Sequence, residues 1–148
     1  MICGVSRNAA WGELNLTEPI QVMIVDDSRE MRESLKLILS FSAEIQVVSE
    51  AANGLEALCQ IPVLDPDVIL MDVNMPVLDG IQTTKRIAQL YPTLPVIVLS
   101  VQEHEDLTAV SLDSGAKTYL QKPVPIDTLI STIIETRCQM DCSIIKRR

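Results

Sequence analysis

The stretch Val68-Ile69-Leu70-Met71-Asp72-Val73-Asn74-Met75-Pro76 (VILMDVNMP) runs four apolar residues into a carboxylate. A continuous apolar run of this length suits a strand covered on both faces, as in a parallel sheet. Similar runs stand at Val22 to Val25, Ile45 to Val48, Val96 to Leu99 and, more weakly, Thr118 to Leu120. Longer segments of helical spacing separate them. Ser28 is placed to cap the first, with Met31, Leu35, Ile38 and Leu39 as its stripe, and Asn53 to cap the second, with Leu55, Ala57, Leu58 and Ile61 inside. Asp79-Gly80 opens the third and Pro92 closes it. The fourth spans about His104 to Ser114 and stops at Gly115. The fifth follows Pro125, with Ile126, Leu129, Ile130, Ile133 and Ile134 on one buried face. Five strand-helix pairs in this order predict an α/β doubly wound parallel sheet with right-handed crossovers.

The 148 residues, 47% of them hydrophobic, suffice for one domain with a core and fall short of two. Residues 1–19 lack sustained periodicity and are expected to form a poorly ordered arm. The domain is expected over 20–140, and 141–148, ending in Lys146-Arg147-Arg148, as a tail or the start of a linker. No apolar run is long enough to span a membrane and no leader pattern appears, so the expectation is a soluble, cytoplasmic protein. Cys3, Cys59, Cys138 and Cys142 lack paired spacing and the lone His104 cannot complete a zinc set, so reduced thiols are expected. Twenty acidic against twelve basic residues give a net charge of −8, which argues against a nucleic-acid surface and for a cation as the charged partner.

In an open parallel sheet, functional groups gather at the carboxyl ends of the strands. Here the first strand ends on Asp26-Asp27, the third on Asp72 and the fourth on Ser100, and the fifth is followed by Lys122-Pro123. Singly, each has a plain reading: the acidic pair as a helix cap, Asp72 as a turn residue, Ser100 as a backbone partner and Lys122 as a surface charge. Together they crowd three carboxylates on one rim, where each raises the others' pKa unless a cation intervenes. Magnesium fits, because it takes a few carboxylate oxygens and shares its remaining positions with water and phosphoryl oxygens. Asp72 can then act as a nucleophile toward phosphorus, with Lys122 pairing one phosphoryl oxygen and Ser100 donating a hydrogen bond to another.

The set IVDDS (24–28), DPDVILMDVNMPVLDG (65–80), PVIVLS (95–100) and GAKTYLQKP (115–123) closely resembles the receiver domain of bacterial two-component response regulators. EAANGLEAL (50–58) is most similar to receivers of LuxR-type transcription regulators. The resemblance implies a flavodoxin-like fold with strand order 2-1-3-4-5. It implies Asp72 as phosphoacceptor, Asp26 and Asp27 as the acid pair on magnesium, and the Asn74 backbone carbonyl as a further ligand. Ser100 and Tyr119 become the switch residues, Ser100 as the hydroxyl that follows the phosphoryl group and Tyr119 as the aromatic that changes rotamer, and Lys122 becomes the family's lysine, with Pro123 after it in cis. Asn74 and Gln102 take positions that tune phosphate lifetime in the family.

The same resemblance implies a partner histidine kinase or phosphotransfer protein that delivers the phosphoryl group from phosphohistidine. The surface of helix 4, strand 5 and helix 5 then switches to control a partner protein or a DNA-binding domain, with a homodimer among the assemblies it allows. No enzyme activity is expected beyond self-phosphorylation and self-dephosphorylation, and no nucleic acid or membrane binding by this segment. An output domain of about 60 residues does not fit after helix 5, which leaves a stand-alone receiver or the regulatory part of a longer protein.

Three other readings share part of this pattern. A dehalogenase-type phosphatase needs a D-x-D arrangement that Asp26-Asp27-Ser28 lacks. A flavodoxin-like binder needs a hydroxyl- and glycine-rich phosphate loop after the first strand, where this chain has two anions that repel phosphate in the absence of a metal. The remaining alternative is a non-phosphorylated pseudo-receiver acting as a protein-interaction module.

Overall fold

The computed structural model describes residues 18–75, 77–101 and 105–146. Most of the expected N-terminal arm, with Trp11, and also Pro76, Gln102 and His104 lie outside the described residues. Among the described residues strands and helices alternate from Ile20 onward: β1 (Ile20–Val25), α1 (Arg29–Leu39), β2 (Ile45–Ala51), α2 (Gly54–Leu64) and β3 (Val68–Asp72), then α3 (Gly80–Leu90), β4 (Val96–Ser100), α4 (Glu105–Asp113), β5 (Thr118–Gln121) and α5 (Ile126–Lys146). All neighbouring strands are parallel, in the order β2-β1-β3-β4-β5.

The period of two along each strand divides the core into two layers. Ile20, Val22, Ile24, Val68, Leu70, Ile97 and Leu99 face Leu35 and Leu39 of α1 and Leu129 and Ile133 of α5. Met23, Val25, Ile69, Met71, Val96 and Val98 face Ala57 and Ile61 of α2 and Ile87 of α3. Val68 to Met71 are buried without exception, so the apolar run of the central strand fills both layers. Each such side chain contributes about 1.5–3 kcal/mol by leaving water. That burial, together with pairing to β1 and β4, anchors the strand that ends on Asp72.

The caps follow the sequence. Ser28 accepts a hydrogen bond from the Met31 amide, Asn53 from the Glu56 amide and Asp79 from the Gln82 amide. Gly115, with φ +108°, ends the turn after α4 in a conformation that side chains avoid. The elements run slightly longer than the apolar runs suggest. β1 starts at Ile20, where its amide bonds the Glu44 carbonyl, and β2 continues to Ala51. α5 crosses the boundary placed after residue 140 and reaches Lys146, since residues 141–146 hold no Gly or Pro to stop it.

The expectation of reduced thiols holds for Cys59, which is free, and fails for Cys138, which is disulfide-bonded. Spacing along the chain does not reveal which sulfurs the fold brings together. Among the described residues no helix is long and apolar enough to cross a membrane.

Candidate functional site

The strand register brings the polar strand ends together. Val25 pairs with Met71, so the residues that follow, Asp26 and Asp72, sit side by side. Asp72 pairs with Leu99, and Ser100 with Gln121, which places Lys122 at the same edge.

Asp26 is 3% exposed and held at several atoms. Its amide bonds the Ala51 carbonyl at 3.0 Å. One carboxylate oxygen accepts from the Ser28 amide at 2.9 Å, and the other from Lys122 Nζ at 3.1 Å. The same ammonium reaches Asp72 Oδ1 at 3.4 Å. Asp27 is exposed and completes the cluster: one oxygen each from Asp26, Asp27 and Asp72 lies within 4.8 Å of the others.

Burial pushes the Asp72 carboxyl above the ordinary carboxylate range; Lys122 opposes the shift, and the negative charges of Asp26 and Asp27 add to it. One lysine thus leaves part of the anionic charge uncompensated. Three carboxylate oxygens at this spacing, with Asp72 short of positive charge, fit a hard divalent cation that takes a few oxygens and keeps its waters. Asp26, Asp27 and Asp72 are the residues that would hold it.

The remaining predicted residues are placed less closely. Asn74 is exposed in the loop after β3, two residues beyond Asp72. Ser100 ends β4 with no exposed surface, beside the strand that carries Asp72. Tyr119, paired with Val98, is half-buried against the layer formed by α2 and α3, which also suits a plain packing role. The Lys122-Pro123 peptide bond is cis.

Two tight features shape the loop from β3 to α3. The Gly80 amide bonds the Val73 carbonyl at 2.9 Å, and a Cβ at Gly80 would lie 2.0 Å from the Asp72 carbonyl oxygen. Val77 adopts φ +71°, a strained conformation for a β-branched residue.

Sequence reasoning missed Arg32 and Glu50. Arg32 Nη1 donates to the Asp26 carbonyl at 2.7 Å, and its Nε donates to Glu50 Oε1 at 3.1 Å. Lys36 Nζ reaches the other Glu50 oxygen at 2.7 Å. The hydrogen bond from Lys36 and the charges of both cations hold the Glu50 carboxyl below its ordinary range, against the opposing effect of burial. The available signal was a lone acid in the strand IQVVSEA and two cations one helical turn apart in α1.

Residues 22–134 match the family model of the response regulator receiver domain. The chain is 39% identical over 114 residues to the transcriptional regulatory protein DegU of Brevibacillus brevis, across 77% of this chain and 48% of that one. It is 41% identical over 122 residues to a protein-glutamate methylesterase/protein-glutamine glutaminase of Trichodesmium erythraeum, covering 81% of this chain and 35% of that one. Among solved structures, the response regulator domain of Thermotoga maritima CheB aligns with a TM-score of 0.75 at 34% identity, over 81% of this chain and 97% of that one. The chain spans about half the length, or less, of the full-length relatives it matches.

Proposed function

The chain belongs to the response regulator receiver domain family, with LuxR-family regulators among its relatives, and on that basis we propose that it accepts a phosphoryl group on Asp72. One observation carries this reading: the rigid central strand delivers Asp72 into a cluster with Asp26, Asp27 and Lys122. A sensor histidine kinase or a phosphotransfer protein is the donor. An Asp72 oxygen attacks the phosphorus of phosphohistidine; the P–O bond forms as the P–N bond breaks, and the imidazole leaves with the electron pair. Water later attacks the phosphorus of the aspartyl phosphate; a new P–O bond forms as the P–O bond to Asp72 breaks, inorganic phosphate leaves and the carboxylate is restored.

Asp26, Asp27, Asp72 and the Asn74 carbonyl hold magnesium in this reading. When bound, the ion neutralises charge on the carboxylates and on the phosphoryl oxygens. Lys122 leaves Asp26 to pair with a phosphoryl oxygen, and the Ser100 hydroxyl donates to another. Ser100 and Tyr119 then change position and alter the face made by α4, β5 and α5. This face meets the output in the cytoplasm, either a protein partner or a further domain that controls transcription, and self-association through it is one form of readout. DegU is a transcriptional regulatory protein and the Trichodesmium relative a methylesterase, so one kind of receiver serves different outputs. The chemistry of this segment ends at its own phosphorylation and dephosphorylation.

The alternative of a non-phosphorylated interaction module finds no support: the acids and the lysine are all present and lie in one cluster. The test is to mix the protein with acetyl phosphate and magnesium and record the intact mass. We expect one added phosphoryl group that disappears when a chelator replaces magnesium. An unchanged mass with magnesium and with several phosphodonors would contradict the proposal.

A further inference from the structure

We propose that Arg32 is a positioning residue for the acid pocket: braced on β2 by Glu50, its guanidinium fixes the Asp26 carbonyl and with it the turn bearing Asp26 and Asp27. The proposal rests on the magnesium reading above and adds how the protein's own backbone keeps that pocket in shape.

The arrangement begins with an irregularity in β2. Val22 pairs with Val47, but Met23 pairs with Ser49, so Val48 is an extra residue without a partner on β1. Had the alternation continued, Ala51 would share a face with Ile45 and Val47, and Glu50 would point to the α2 side. The bulge reverses this. Ala51 pairs with Val25 and joins the layer under α2, whereas Glu50 pairs with Ile24 and turns toward α1. There it meets Arg32 and Lys36. The strand is pinned from its other side as well, because Gln60 of α2 donates to the Glu50 carbonyl at 3.1 Å and its side-chain oxygen accepts from Ser49 Oγ.

Arg32 uses two nitrogens of one planar group, Nε toward Glu50 and Nη1 toward the Asp26 carbonyl. A lysine has a single ammonium on a flexible stem and does not match that fork. The 2.7 Å bond is charge-assisted, and the Arg32 side chain is only 15% exposed. Asp26 follows the last residue of β1, where the strand pairing stops, and Arg32 supplies a donor to its carbonyl there. The contact is to the carbonyl and leaves the carboxylate oxygens for other partners. Lys122, by contrast, occupies carboxylate oxygens of Asp26 and Asp72 directly. Arg32 therefore constrains the pocket without competing for its ligand atoms.

The test compares wild type with Arg32→Met, Arg32→Lys and Glu50→Gln. Three quantities are read: magnesium affinity by calorimetry on unphosphorylated protein, amide hydrogen exchange at Asp27 and Ser28 without metal, and the thermal midpoint. We expect Arg32→Met to weaken magnesium binding about tenfold, the scale found when a partner of a metal ligand is removed. The Asp27 and Ser28 amides should exchange faster. Arg32→Lys should retain most of the thermal midpoint without restoring the affinity, and Glu50→Gln should weaken it by a smaller factor. A pair that serves only folding would lower the midpoint and leave affinity and local exchange at wild-type values, which would overturn the proposal. If Arg32→Met does not fold, Arg32→Lys and Glu50→Gln decide by the same criteria. Wild-type protein that binds no magnesium would overturn the metal reading itself, whereas variants that bind like a binding wild type would overturn only the role of Arg32.

Discussion

Asp72 carries a conflict that the sequence shows only in part. Its place at the end of VILMD was legible as a charge at the end of a buried strand, and the neighbouring acids were legible as strand ends. Its raised pKa comes first from burial, which depends on the finished packing. Because the folded-state pKa lies above the unfolded one, the group favours folding in its protonated form. Its favourable contribution is present below the unfolded pKa and is lost as the pH rises through the folded one. Asp72→Asn removes that titration. In magnesium-free buffer the variant is therefore predicted to be more stable than wild type at neutral pH, and the gap should close as the pH falls toward about 4, the ordinary carboxylate range. Urea unfolding at several pH values checks this; a gap that widens on acidification would contradict it.

At the scale of elements, the loop from β3 to α3 holds two positions with opposite demands. Gly80 lies where a Cβ would strike the Asp72 carbonyl. Gly80→Ala is predicted to cost about 1–3 kcal/mol, the range for forced overpacking, and to slow phosphorylation by displacing Asp72. Equal unfolding midpoints for variant and wild type would refute it. Val77 meets the reverse situation, since its side chain is exposed and its φ of +71° suits glycine. Val77→Gly is predicted to gain about 1 kcal/mol, read as a higher urea midpoint at unchanged slope. A lower midpoint would show that valine is not strained there. The Asp79-Gly80 pair was legible as a helix start, but neither the close approach at Gly80 nor the backbone at Val77 follows from residue type. The bulge at Val48 was equally hidden, because the apolar run Ile45 to Val48 holds no Gly or Pro to mark it and the strand continues past it to Ala51. The role of Glu50 was hidden with it.

For the whole molecule, the order of apolar runs and capped helices sufficed to predict a doubly wound parallel sheet. The strand order 2-1-3-4-5 was implied only by resemblance, and the pairing of β1 with both β2 and β3 bears it out. The convergence of Asp26, Asp27, Asp72 and Lys122 was legible because topology fixes where strand ends meet. The convergence of Arg32 on the Asp26 carbonyl was not, since it depends on side-chain reach and a local register shift. Among the described residues the parallel strands bring Asp26, Asp27, Asp72 and Lys122 to one edge of the sheet, and the proposed function turns on which of these carboxylates becomes modified. Treating the phosphorylated protein with borohydride reduces an acyl phosphate to an alcohol, so the modified aspartate becomes homoserine and can be located by peptide mass spectrometry. Homoserine is expected at position 72 in wild type and at none in Asp72→Asn; homoserine at position 26 or 27, or equal modification of the variant, would contradict the assignment of Asp72 as acceptor.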